Sequence, residues 1–355
     1  MVSQPQKAVV IGIDAPIVPV LLRLAEAGHL PRIRQLMDDG TFAEQCLVPF
    51  PTITPPNWTT IATGASVGTH GVTCFNIHDP GTPLDEMRMA FSSQDSRAEF
   101  LWDALGRAGK TTIVLNYPVS WPATCEKVLV IGGAGLGVND WAEGGGYYTQ
   151  ATVSGDLFFT TEGYPEATEI SLRPATGWQN IDASPGDLEA ELPVTGRWVS
   201  RRVESIEPQT WHLLVKNTGA GSHSQVVVGP SKDAAHAFAS LTVGEWSPNC
   251  HVDLPTANGT RRAVFRLKLM ELSGGGRQLR LYVTPLCQVD GWASDPSLAA
   301  ELASAGGLPL PVQFFDACAL GWIDLPTFVE LCDMQNQWYA SAATHTMRTR
   351  PWHAF

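Results

Sequence analysis

Short apolar runs alternate with helical stripes through the first half of the chain. Residues 8–13 (AVVIGI) form a continuous β-branched run, and similar runs lie at 111–118 and 127–133. Such runs are typical of strands that are buried on both faces of a parallel sheet. Residues 98–110 carry apolar side chains at helical spacing and end near Gly109. This alternation of strand and helix predicts a doubly wound α/β domain.

The same patterns predict further elements in this half. Two short helices are expected to close at Gly28 and Gly40, since glycine is the preferred residue just beyond a helix end. Residues 41–50 (TFAEQCLVPF) predict another strand, and residues 58–63 predict a short helix. These elements place loops between strand ends and helix starts, where ligands bind in open α/β sheets.

The pattern changes in the second half of the chain. Residues 211–217, 224–230, 263–272 and 277–286 are short strand-like runs, and the last two alternate apolar with charged side chains. Such alternation is typical of antiparallel sheets with one solvated face. The glycine-rich segment 273–277 (SGGGR) predicts the turn of a hairpin.

These two patterns predict the domain organisation. Residues 1–180 and 305–355 are predicted to form the α/β core, and residues 181–304 a β-rich insertion or cap. Residues 324–349 predict a long amphipathic helix, and the following segment 350–355 (RPWHAF) has the pattern of a strand start. Domains rarely stop at such a point, so we expect the chain to be an N-terminal fragment of a longer product.

Composition and charge narrow the class of protein. The chain has 355 residues, 44% of them hydrophobic and 16% charged, with a net charge of -12. The acidic balance argues against non-specific nucleic-acid binding, which needs a basic face. The seven cysteines form no CxxC pair and are expected to be reduced. No run reaches the roughly 18 apolar residues of a membrane span. A cytoplasmic protein without membrane contact is therefore expected.

Residues 50–64 (FPTITPPNWTTIATG) hold five threonines, three prolines and no charge. Thr54 precedes two prolines at the expected start of a helix, where the helix dipole favours an alkoxide and an incoming anion. Asp14 directly follows the first predicted strand, at the mouth of the sheet. The ordinary alternative is that Asp14 caps a helix and that the threonines only stabilise turns. A threonine hydroxyl becomes a useful nucleophile only when a base or a metal activates it.

Three pieces carry a family resemblance: IGID at 11–14, TITPPNWTTIATG at 52–64, and Gly-Thr-His-Gly at 68–71. Their order and spacing resemble the type I phosphodiesterase/nucleotide pyrophosphatase group of the alkaline phosphatase superfamily. The predicted phosphohydrolase/phosphomutase members are the most similar. The resemblance implies an α/β, alkaline-phosphatase-like fold: a mostly parallel sheet sandwiched by helices, with a β-rich insertion. It also implies a hydrolase with two divalent metals, zinc or in some members manganese.

The resemblance implies roles for particular residues. Asp14 matches a metal ligand, and Thr54 matches the nucleophile, which is also a metal ligand. Asn76 is the candidate for an asparagine that contacts the phosphoryl oxygen, and His70 matches a histidine with a structural role. The implied reaction runs through a phospho-threonine intermediate, on a small-molecule phosphate ester as substrate. No pattern in the sequence indicates an oligomeric state.

The chain departs from the family pattern at two places. Ala15 stands where the family usually has glycine, and the later Asp-x-x-x-His and Asp-His-Gly steps, which supply the remaining metal ligands, are absent. We expect those ligands beyond Phe355, and this chain alone to be inactive or impaired. The alternatives are a phosphomutase or phosphotransferase on the same fold, and a non-catalytic relative that binds a phosphorylated ligand.

A glycine-rich segment follows the third predicted strand. Residues 132–137 (GGAGLG) are similar in composition to a phosphate-cradling loop. They lack the GxGxxG spacing and the following helix of a dinucleotide site. A flexible loop at the active site or at the mouth of the cap is therefore the favoured interpretation.

Overall fold

The computed structural model separates into two compact units. The first unit is Met1–Gly133 with Pro351–Phe355, and the second is Ala134–Arg350. The boundaries between these units differ from the predicted domain boundaries. The predicted domain organisation therefore stays a prediction. The structure describes residues 7–43, 46–132, 152–198, 201–202, 206–219, 222–256, 259–273, 275–306 and 315–355.

Helices make up most of the regular structure in the first unit. Three of them carry proline in their first turn, where the missing N–H has no helical partner to lose. The described helices are α1 (Val18–Glu26), α2 (Pro31–Asp39), α3 (Thr54–Thr63), α4 (Val67–His70) and α5 (Leu101–Arg107). The strands are β1 (Asn76–Ile77), β2 (Arg88–Met89), β3 (Thr112–Leu115) and β4 (Val128–Ile131).

The first unit contains a small arrangement of parallel strands. β3 and β4 pair in parallel, with Thr112 opposite Val128. The C-terminal residues lie on the other side of β3, because Ala354 forms parallel bridges to both Thr112 and Ala8. The Ala8 amide donates to the His353 carbonyl at 2.9 Å. The segment after Ala8 therefore runs along the edge of this arrangement toward Asp14.

Two of the predicted strands differ from the structure. The side chains of Val10 and Ile11 are 60% and 79% exposed, so residues 8–13 are not a strand buried on both faces. Burial depends on which element packs over a run, and periodicity alone carries no information about that. Residues 41–43 and 46–50 contain no strand, and residues 44–45 of that prediction lie outside the described part of the chain.

The second unit is built mainly from antiparallel strands. Its strands are β5 (Thr152–Ser154), β6 (Leu157–Thr160), β7 (Thr168–Glu169), β8 (Arg173–Pro174), β9 (Leu188–Val194), β10 (Arg197–Trp198), β11 (Arg201–Arg202), β12 (Gln209–Gly219), β13 (Ser222–Gly229), β14 (Ala239–Thr242), β15 (Cys250–Thr256), β16 (Gly259–Phe265), β17 (Leu267–Leu272), β18 (Leu279–Val283) and β19 (Leu286–Gln288). Its helices are α6 (Pro296–Gly306), α7 (Phe315–Ala319) and α8 (Leu325–Thr349).

These strands form three main sheets. Their orders are β14-β13-β12-β9-β8, β15-β16-β19-β5 and β17-β18-β6-β7. Apart from the parallel pair β6–β7, the described pairs of this unit are antiparallel. The inward side chains of β9, β12, β13, β16 and β18 share one apolar core, in which Leu213, Val226 and Leu281 are fully buried.

Several predicted elements of the second unit are confirmed. The run at 211–217 lies within β12, the run at 224–230 overlaps β13 up to Gly229, and Leu272 pairs with Leu279 across the predicted hairpin turn. The long helix is α8, and the Asp324 side chain caps it by accepting from the Thr327 amide. In the described parts of the chain no helix has the length and apolar character needed to span a bilayer.

The observed fold is α/β with mixed sheets and several helices, which fits an alkaline-phosphatase-like fold. The described sheets are not all parallel: β3 and β4 pair in parallel in the first unit, whereas most pairs of the second unit are antiparallel, and a mostly parallel core sheet stays a prediction. The cause lies in the second unit, where short turns join neighbouring strands, and such turns allow only antiparallel pairing.

Candidate active site

Asp14 and Thr54 lie together although 40 residues separate them in the chain. The Thr54 hydroxyl faces both carboxylate oxygens of Asp14, at 3.4 Å from Oδ1 and 3.3 Å from Oδ2. The indole N–H of Trp58 donates to the same Oδ1 at 2.8 Å. Asp14 is exposed, while Thr54 and Trp58 are half-buried. The three side chains form a small polar cluster that is open to a ligand.

Helix α3 positions two of these three residues. Thr54 is the first residue of the helix, and Trp58 follows one turn later. Residues four apart lie on the same face of a helix, so both side chains point to one side. Pro55 and Pro56 have no N–H, which leaves the Thr54 amide as the backbone donor of this described first turn. Binding of an anion at this helix end would therefore rely more on side-chain donors than it does at an ordinary helix N-terminus.

The other hydroxyls of this segment stabilise the helix. Thr59 donates to the Pro55 carbonyl at 2.7 Å, and Thr63 donates to the Thr59 carbonyl at 2.7 Å. Asn57 ties the preceding loop to the helix, because its amide group donates to the carbonyls of Pro51 and Ile53. These contacts hold the start of α3 in place, and Thr54 is the threonine of the segment that faces Asp14.

His70 supports the same helix from within the protein. It is completely buried, and its Nε2 lies 3.0 Å from the Thr60 hydroxyl. Its Nδ1 accepts from the Val72 amide at 3.1 Å. Burial lowers the pKa of His70, so the neutral ring is favoured. With Nδ1 as acceptor, Nε2 carries the proton and donates to Thr60.

The indole ring of Trp58 packs against Gly12 and against the ring of Tyr117. A Cβ placed on Gly12 would lie 2.2 Å from the ring, so the backbone of the first segment can pass only because residue 12 is glycine. The Tyr117 ring meets Trp58 edge-on with centroids 4.8 Å apart, and its hydroxyl donates to the Trp58 carbonyl at 2.8 Å. Burial raises the pKa of Tyr117, which keeps this hydroxyl protonated as a donor.

Asn76 lies apart from this cluster. It is an exposed residue of β1, where it pairs with Met89 of β2. Among the described residues, no hydrogen bond joins its side chain to Thr54 or Asp14. The structure therefore brings together two of the three predicted site residues, and a substrate contact by Asn76 stays a prediction.

The donors present do not form a two-metal centre. Asp14 and Thr54 supply oxygen atoms, but zinc sites in proteins need three or four protein ligands. Within the described ranges, no group of three or more His, Cys, Asp or Glu side chains could hold a metal ion. Zinc or manganese as cofactor stays a prediction. Residues 133–137 of the glycine-rich segment lie outside the described residues.

Trp58 is the residue that sequence reasoning missed. Its spacing of four from Thr54 places both side chains on one face only because α3 begins at Thr54, whereas the predicted helix began at residue 58. The contact of its indole N–H with Asp14 depends on a distant segment, and no local pattern predicts such a contact.

One of three comparisons with known proteins finds a family for this chain. A family model described as type I phosphodiesterase / nucleotide pyrophosphatase matches residues 8–231, a range that includes Asp14, Thr54 and Trp58. That range is more than half of the 355-residue chain. Comparisons with curated proteins and with solved structures find no match. The chain belongs to the type I phosphodiesterase/nucleotide pyrophosphatase family.

Proposed function

We propose that the protein is a phosphoric ester hydrolase of the phosphodiesterase/nucleotide pyrophosphatase type, in which Thr54 attacks phosphorus. The observation that carries this proposal is the contact of the Thr54 hydroxyl with the Asp14 carboxylate at 3.3 Å. The match to the family over residues 8–231 supports the reaction class. A small-molecule phosphate ester is the proposed substrate, because the open cluster at the start of α3 presents a hydroxyl to solvent.

The proposed reaction has two steps. Thr54 Oγ1 forms a bond to phosphorus in line with the leaving ester oxygen, and its proton passes to Asp14. The bond to the leaving oxygen breaks, and that oxygen leaves as an alcohol after taking a proton from water. Water then attacks the phospho-threonine and gives one proton to the hydroxide left by the first step. The bond from phosphorus to Oγ1 breaks, the phosphate product leaves, and Asp14 returns its proton to Oγ1, which restores the Thr54 hydroxyl.

The geometry is that of a ground state without substrate. The 3.3 Å separation between the Thr54 hydroxyl and Asp14 Oδ2 is longer than the usual 2.7–2.8 Å of an O–H···O bond. Hydrogen bonds of catalytic groups commonly shorten when substrate binds, so the distance is compatible with proton transfer. Phosphoryl transfer depends chiefly on positioning and on neutralising charge, which Asp14 alone does not supply for an anionic ester. A divalent metal is proposed for that part.

The test is hydrolysis of bis-p-nitrophenyl phosphate by the wild-type chain, with zinc, with manganese and with a chelator. We expect Thr54→Ala to lower turnover by at least about 10³-fold, as loss of a nucleophile does. Thr59→Ala is the matched control, because Thr59 lies on the same helix and its hydroxyl donates to the backbone carbonyl of Pro55. Turnover that survives Thr54→Ala at the wild-type rate would contradict the proposal. Mass spectrometry of the quenched reaction should find phosphate on Thr54.

A further inference from the structure

Asp14 makes one well-formed hydrogen bond and two long contacts. The Trp58 indole reaches Oδ1 at 2.8 Å, which is an ordinary bonding distance. The Thr54 hydroxyl lies 3.4 Å from this oxygen and 3.3 Å from Oδ2. Because the indole binds Oδ1, the other oxygen, Oδ2, is left facing the Thr54 hydroxyl.

The donor is more rigid than the acceptor. Asp14 is exposed on a bend, where water could hydrogen-bond to its carboxylate in any orientation. Trp58 sits on α3 one turn after Thr54, and its ring is enclosed by Gly12 and Tyr117. The indole N–H and the Thr54 hydroxyl are thus held in a fixed relation by one helix. A carboxylate bonded to this N–H is oriented toward Thr54.

We propose that Trp58 is a positioning residue, which fixes the Asp14 carboxylate beside the Thr54 hydroxyl through the 2.8 Å hydrogen bond from its indole N–H to Oδ1. The proposal rests on the proposed function, since it assumes that Thr54 is the attacking group.

The simpler explanation is that Trp58 only packs against Gly12 and Tyr117. Trp58→Phe separates the two, because it keeps an aromatic ring and removes the N–H. Trp102→Phe is the matched control. Trp102 lies in the same unit and also contacts Tyr117, with ring centroids 5.6 Å apart, but its indole donates to Thr124 at 3.0 Å.

The first measurement tests the hydrogen bond without any reaction. Chain labelled with ¹⁵N tryptophan gives one indole N–H signal per ring, and Trp58→Phe and Trp102→Phe identify two of them. We expect Asp14→Ala to shift the Trp58 signal and to leave the Trp102 signal in place. A Trp58 signal that does not respond to Asp14→Ala would overturn the proposal.

The second measurement tests the role in the reaction. We expect Trp58→Phe to lower kcat about 10- to 100-fold, as loss of a residue that orients a reacting group does, with KM and Tm near the wild-type values. Trp102→Phe should lower Tm and keep kcat. Equal kcat in wild type and Trp58→Phe overturns the positioning role, even if the NMR signal shifts.

A third arm separates this proposal from the proposed function. Wild-type chain is treated with a fluorophosphonate probe, and labelling of Thr54 is followed by mass spectrometry. Slower labelling in Trp58→Phe than in Trp102→Phe supports the positioning role, even where ester turnover is too slow to measure. If wild type neither hydrolyses the ester nor labels at Thr54, the proposed function fails and the positioning role fails with it. The NMR response to Asp14→Ala still decides whether the hydrogen bond exists.

Discussion

The two units of the molecule bury their apolar side chains to very different degrees. Of the 20 large hydrophobic side chains that are exposed among the described residues, 17 lie in the first unit and three in the second. The second unit surrounds a continuous core in which Leu213 and Leu281 are inaccessible. In the first unit, Ile11 and Leu47 are 79% and 96% exposed. The candidate site therefore belongs to the less buried unit.

This difference shows how the candidate site is held. Asp14, Thr54 and Trp58 are placed by one helix start, one close approach at Gly12 and a few hydrogen bonds, without a large core beneath them. Regions with few buried apolar contacts open locally at lower free energy than the core. The second unit gains stability from burial at about 25 cal/mol per Å² of apolar area. We expect the first unit to unfold first.

One pair of substitutions tests this comparison most directly. Leu213→Ala in β12 removes a fully buried side chain, and we expect it to lower the free energy of unfolding by about 2–5 kcal/mol. Leu36→Ala in α2 removes a side chain that is 69% exposed, so we expect a change within about 0.5 kcal/mol. Urea unfolding followed by hydrogen exchange assigns each change to its unit. Equal losses in both variants would mean that another surface covers Leu36 in solution.

Acid should destabilise the second unit through Glu189. This carboxylate is 2% exposed, and burial by itself would raise its pKa. Hydrogen bonds from Lys232 at 2.8 Å, Arg173 at 3.0 Å and Trp178 at 3.0 Å outweigh burial and lower the pKa to about 2. A lowered pKa stabilises the folded state above the ordinary value of 4.5, and this contribution is lost as the pH falls from there to about 2.

The shift of Glu189 corresponds to about 3 kcal/mol, at about 1.4 kcal/mol for each pKa unit. We expect Glu189→Gln to be less stable than wild type at pH 7, and the two proteins to converge as the pH approaches 2. Glu207→Gln serves as the control, because Glu207 is exposed. The measurement is the urea midpoint of each protein between pH 2 and pH 7. Curves that stay parallel for wild type and Glu189→Gln would refute the stabilising role of the Glu189 carboxylate.

Local patterns predicted the elements of the second unit well. The strand-like runs at residues 211–217 and 224–230 correspond to β12 and β13, since short apolar runs are visible in the sequence itself. The helix after Asp324 was equally visible from the helical spacing of its apolar side chains. The apolar run at 8–13 was misleading, because its exposure depends on what packs over it. Tertiary context, which the run does not encode, decided the outcome.

For the candidate site, the contacts between distant residues were harder to predict than the residues themselves. The family resemblance pointed to Asp14 and Thr54, and the structure places them within 3.4 Å of one another. The Trp58 contact needed coordinates, because it joins α3 to a bend 44 residues earlier in the chain. Asn76 shows the opposite case, since the resemblance pointed to it but its exposed side chain on β1 lies apart from the cluster.

The smallest expected effect lies next to the site, at Ala15. Its backbone has a φ of +43°, in the left-handed region that favours glycine, and the resembled family usually has glycine there. For an L-residue this conformation costs about 1–2 kcal/mol. Glycine relieves that cost but adds backbone freedom to the unfolded chain, which takes back about 0.4–1 kcal/mol.

We therefore expect Ala15→Gly to stabilise the first unit by about 0.5–1 kcal/mol. The control is Ala25→Gly, the same substitution inside α1, which should destabilise by about 1 kcal/mol because glycine is unfavourable in a helix. Hydrogen exchange of the first-unit amides reports both changes, while the amides of β12 and β13 should not respond. Opposite signs at two alanines of one unit would show that backbone conformation at residue 15 sets the local stability. Destabilisation by Ala15→Gly would instead mean that the methyl group contributes packing that outweighs the strain.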